Sequence, residues 1–71
     1  MKCILVTVEE TESDAIRTFN HLLSWGFKSR FKQNEDGKYN IVIEAGTKDQ
    51  LEEDLFDIKK LGYHNAQIAI L

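Results

Sequence analysis

The chain has 71 residues, with 12 acidic against 9 basic side chains, a net charge of −3, and 42% hydrophobic and 30% charged residues. This is an ordinary globular composition for one domain over residues 1–71, with a small core and no room for a two-domain active site or a cofactor-sized cleft. Cys3 is the single cysteine, which excludes an intrachain disulfide and favours a reducing, cytoplasmic setting; no apolar run approaches the roughly 20 residues of a membrane span, and no signal peptide is visible.

Residues 3–8 are short, β-branched and apolar at every position but one, as expected of a central strand. Glu9 and Glu10 end it. Thr11 with Asp14 three residues on resembles a capping box, and Ala15, Ile16, Phe19, Leu22 and Leu23 follow at helical spacing. Gly26 stops this helix, because the left-handed backbone of a C′ residue is cheapest in glycine. Residues 27–33 alternate, with Phe27, Ser29 and Phe31 on one side and Lys28, Arg30 and Lys32 on the other, the pattern of a half-exposed edge strand.

Residues 34–37, Asn-Glu-Asp-Gly, form a hairpin turn. The next strand, residues 38–45, sets Tyr39, Ile41 and Ile43 against Asn40, Val42 and Glu44. Thr47 with Gln50 repeats the capping pattern, and Leu51, Leu55, Ile58 and Leu61 form a second helical stripe. Acidic residues lie early in that helix and Lys59 and Lys60 late, complementing its dipole. Gly62 ends it, and Ala66, Ile68 and Ile70 alternate with Gln67 and Ala69 in a last strand.

The order β-α-β-β-α-β is also an internal repeat. A shift of 36 residues carries Thr11 onto Thr47, Ala15 onto Leu51, Phe19 onto Leu55, Leu22 onto Ile58 and Gly26 onto Gly62. Two half-repeats, residues 1–33 and 38–71, joined by a hairpin, predict an α+β ferredoxin-like sandwich. Its four-stranded antiparallel sheet has order 4-1-3-2 and both helices on one face. The same shift places Leu5 on Ile41 and Thr7 on Ile43, so Ile4, Val6 and Val8 fall on the uncovered face with Val42, Ala69 and Leu71. The opposite phase would put Ile4, Val6 and Val8 in the core and turn Cys3 and Leu5 outward. An exposed apolar group of this kind marks an interface.

Lys28, Arg30 and Lys32 lie on the same open face, rimming it together with Glu44. Nucleic-acid binding through that strand is a remote alternative. The interleaved Phe27 and Phe31 point to the other face, so bases could not stack on them while phosphates met the cations. No catalytic constellation, cofactor or metal site is expected. His21 and His64 are isolated, no cysteine pair occurs, and the glycines are punctuation rather than a phosphate loop. His21 reads as a helix-surface residue, His64 as a turn residue and Cys3 as an inert buried thiol, while Trp25 and Tyr63 read as caps on the core. The acidic group Glu9, Glu10, Glu12 and Asp14 is accounted for by the positive end of the first helix.

Residues 36–43, Asp-Gly-Lys-Tyr-Asn-Ile-Val-Ile, with the capped helix and the Lys59-Lys60-Leu61-Gly62-Tyr63 run after them, resemble the second half of a SPOR domain. The resemblance implies the βαββαβ layout, a two-fold repeat and binding of bacterial peptidoglycan glycan strands outside the cytoplasm. This chain has Glu44-Ala45-Gly46-Thr47 where the family places a glycine and an aromatic, so no binding residue carries over. The expectation from the residues themselves is a small non-catalytic protein-interaction or regulatory module. It would use Ile4, Val6, Val8, Lys28, Arg30, Lys32, Val42 and Glu44 against a second copy or another protein, with the SPOR-like glycan function as the alternative.

Overall fold

A computed structural model describes residues 3–70 of the chain. Leu71, assigned to the open face by its alternation, lies outside the described residues. The elements are β1 (Cys3–Glu9), α1 (Glu12–Ser24), β2 (Ser29–Gln33), β3 (Tyr39–Glu44), α2 (Lys48–Lys60) and β4 (Gln67–Ile70). The sheet is antiparallel with order β2-β3-β1-β4, which is 4-1-3-2 read from its other edge. This α+β arrangement fits a ferredoxin-like sandwich.

The repeat is visible in the caps. The Thr11 hydroxyl accepts from the Asp14 N–H and the Thr47 hydroxyl from the Gln50 N–H, so each helix has one of its orphan N-terminal donors satisfied in the same way. Both helices start, end and cap 36 residues apart, and Gly26 and Gly62 follow the C-caps at φ 90° and 107°, where an L side chain would be strained. The strands are shorter than the alternation suggested: Phe27 and Lys28 precede β2, and Ala66 is buried just ahead of β4.

One core lies between sheet and helices. Leu5, Ala15, Leu22, Ile41, Ile43, Leu51, Ile58 and Ala66 are buried together, with Thr7 and Thr18 among them. The helices contribute Ala15, Thr18 and Leu22 from α1 and Leu51 and Ile58 from α2, so both cover the same sheet face. α1 packs mainly over β2 and β3, and α2 over β1 and β4. Leu5 pairs with Ile43 and Thr7 with Ile41 across β1 and β3, which fixes these four as the helix-facing set. Ile4, Val6 and Val8 therefore face the uncovered side, in the phase required by the repeat.

Three side chains depart from the sequence reading. Trp25 does not cap the core: it is 61% exposed. His21 is no plain surface residue, since its Nδ1 hydrogen-bonds the Tyr63 hydroxyl and its Nε2 accepts from the Trp25 indole N–H at 3.0 Å. An indole nitrogen only donates, so Nε2 carries no proton and Nδ1–H donates to Tyr63. Cys3 is half-buried rather than buried, at the margin of the core.

Candidate functional site: the open sheet face

The pairing register lays the open face out in rows. Arg30, Val42, Val6 and Gln67 form one row across the four strands; Glu44, Ile4 and Ala69 form the row above, and Lys32, Asn40 and Val8 the row below. Down the columns, β1 supplies three consecutive aliphatic side chains, Ile4, Val6 and Val8, flanked by Val42 on β3 and Ala69 on β4. All five are half-buried by one another rather than covered by another layer. β2 supplies the cations Arg30 and Lys32. Lys28 lies outside β2 but borders the same surface, beside Arg30, Val42 and Glu44. All eight sequence-predicted site residues thus share one face.

The face is a shallow depression of about 560 Å³ between the β2 cations and the β1 column. Arg30 Nη2 donates to Glu44 Oε1 at 3.1 Å, a diagonal pair between β2 and β3. Both groups reach solvent, so the pair contributes little to stability and serves to hold the guanidinium beside Val42. Phe31 packs edge-on to Phe19 of α1 at 5.4 Å between ring centroids and against Tyr39 at 6.4 Å. Its ring is committed to the helix side of the sheet, which leaves the cationic strip without an aromatic platform.

Two polar features at the ends of the strands escaped the sequence. Asn65 stands in register with Val8, beyond the last β1–β4 pair of Val6 and Gln67. Its side chain takes the role of a strand backbone: Oδ1 accepts from Val8 N–H at 3.3 Å, and Nδ2 donates to Val8 O at 2.9 Å. The same Oδ1 receives the hydroxyl of Thr7, which is 1% exposed. On the helix face, Glu9 lies against α1, where its pKa is raised from 4.5 by burial and by the Asp14 carboxylate, opposed by the Thr18 hydroxyl and Arg17.

A carboxyl that holds its proton more tightly folded than unfolded withdraws stability as pH climbs from 4.5 through the folded value. Glu9→Gln is accordingly expected to raise the melting temperature slightly at pH 7. The gain should fade as pH falls to 4.5 and below, which a series of thermal melts would record.

Among the described residues, no helix is long and apolar enough to cross a membrane. No family model, curated protein or solved structure matches the chain.

Proposed function

We propose that the protein is a small interaction module that pairs with a second copy of itself through the open sheet face. The observation that carries this is the aliphatic column of Ile4, Val6 and Val8 with Val42 and Ala69, left uncovered in a sheet whose other face is packed by both helices. Four strands about 4.8 Å apart and about six residues long present roughly 400 Å² of plane per copy. Five of the ten side chains in the three rows are aliphatic, so about half of that plane is apolar, and its burial contributes about 5 kcal/mol per copy at about 25 cal/mol per Å². Two copies together supply about 10 kcal/mol, within the range of about 4–15 kcal/mol that association costs, which suits a dimer of modest affinity.

Charge selects among the two-fold arrangements. An axis running along β1 stacks the aliphatic column on its own copy and carries each cationic strip toward β4 of the other molecule, beside uncharged Gln67 and Ala69. An axis across the strands would superimpose Lys28, Arg30 and Lys32 on their copies, with direct like-charge repulsion. The first arrangement is the one proposed.

Val6→Glu places a carboxylate at the centre of the face without touching the core. In sedimentation equilibrium at tens of micromolar, the parent is expected at twice the 8.2 kDa chain mass and Val6→Glu at the single-chain mass, with unchanged circular dichroism. A parent that stays monomeric, or a variant that stays dimeric, would overturn the proposal.

A further inference from the structure

We propose a second binding site, on the helical layer, that takes the guanidinium group of an arginyl side chain presented by a protein partner. The site is the groove of about 390 Å³ where both helices end, lined by Trp25, Phe27, Asp57, Lys60 and Leu61. It is distinct from the open sheet face and does not depend on pairing there.

The groove's aromatic wall is exposed and yet held. The Trp25 indole is fastened by its N–H to His21 Nε2, and His21 is fastened in turn to Tyr63, which packs against the core. A large aromatic at the surface whose orientation is set by hydrogen bonds is pre-organised for a ligand, because little rotamer freedom remains to be lost on binding.

Electrostatics choose the ligand. Asp57 lines the groove, and its carboxylate has no hydrogen-bond or ion-pair partner among the described residues. The C-caps of α1 and α2, Trp25 and Leu61, both border it as well, so the negative ends of two helix dipoles converge there. The neighbouring cations are turned elsewhere: Lys28 borders the open sheet face, Lys59 does not line the groove, and the Lys60 ammonium sits 4.2 Å over the Phe56 ring.

An acidic residue and an indole lining one groove call for a planar cation with forked donors. The guanidinium fits: it stacks on the ring while two of its N–H groups reach both carboxylate oxygens. A lysine ammonium offers the charge without the plane.

Trp25 is the only tryptophan, so its emission reports this site alone among indoles. The experiment titrates the full chain with N-acetyl-arginine amide and, separately, with the neutral isostere N-acetyl-citrulline amide. It follows Trp25 fluorescence and the backbone amide shifts of Phe27, Asp57 and Leu61. The arginine derivative is expected to saturate in the millimolar range with shifts confined to the groove, and the citrulline derivative not to saturate. Asp57→Asn, whose amide spectrum should show the parent fold, is expected to weaken binding tenfold or more. Saturation by citrulline with equal affinity, no saturable response to arginine, or full affinity in Asp57→Asn would each overturn the proposal.

Discussion

Leu5→Ala is expected to leave the domain largely unfolded, while Val6→Ala, one residue away on the same strand, leaves the isolated monomer close to parental stability. Leu5 is fully buried between Ile43 and the helices. Truncating a side chain in that setting removes its transfer free energy and opens a cavity, at about 2–5 kcal/mol. A 71-residue domain has about that much in reserve, or less. Val6 is half-buried on the uncovered face, so losing two methyl groups there costs about 1 kcal/mol or less in a monomer. Urea unfolding at sub-micromolar concentration, followed by far-UV circular dichroism, measures both. A larger loss in Val6→Ala than in Leu5→Ala would reverse the strand phase and with it the identity of the open face.

The second large effect is expected at Asn65, an exposed polar residue in a turn that would ordinarily tolerate substitution. Asn65→Ala removes the acceptor of a buried hydroxyl and both partners of the Val8 peptide groups at once. Water can reach the Val8 groups, but the Thr7 hydroxyl is left buried and unpaired. The expected cost is about 1–3 kcal/mol. Thr7→Val removes the hydroxyl itself, so Asn65→Ala in that background should cost distinctly less than in the parent. A double-mutant cycle by urea unfolding reads this coupling directly. Additive effects would show that the Thr7–Asn65 bond contributes nothing and that Asn65 acts on Val8 alone.

Local signals made the architecture legible. Capping threonines, helix-stopping glycines and period-two alternation each depend on residues within a few positions, and the 36-residue repeat let one half check the other. Phase was the harder question, because β1 is apolar on both faces and alternation alone cannot orient it. The repeat favours one phase by matching Leu5 and Thr7 to Ile41 and Ile43 and leaves the opposite phase open, and the buried set decides for the first.

The polar contacts were opaque because they join distant segments. Asn65 lies 57 or 58 positions from its partners in β1, and His21 42 from Tyr63. Nothing in a local window announces an asparagine that stands in for a strand backbone. The Trp25–His21 bond is different: the two are four apart at the end of a helix, a spacing that brings side chains together, so this one contact could have been anticipated. The place of Trp25 before Gly26, where the repeat equivalent is Leu61, points to the core. Its indole nitrogen needs an acceptor, and His21 offers one at the surface, which draws the ring out of the core. Thr18 is hidden for the opposite reason: a hydroxyl breaks the apolar stripe of α1, yet it is buried where it can donate to Glu9.

The open face itself is tested most directly by isotope-filtered nuclear Overhauser spectroscopy on a dimer mixed from labelled and unlabelled chains, at several hundred micromolar. Pairing about an axis along β1 predicts intermolecular contacts among the methyl groups of Ile4, Val6 and Val8, and between Val42 and Ala69 of different copies. Leu51 and Ile58 should show none. Intermolecular signals confined to the helical layer, or none at all, would contradict the account.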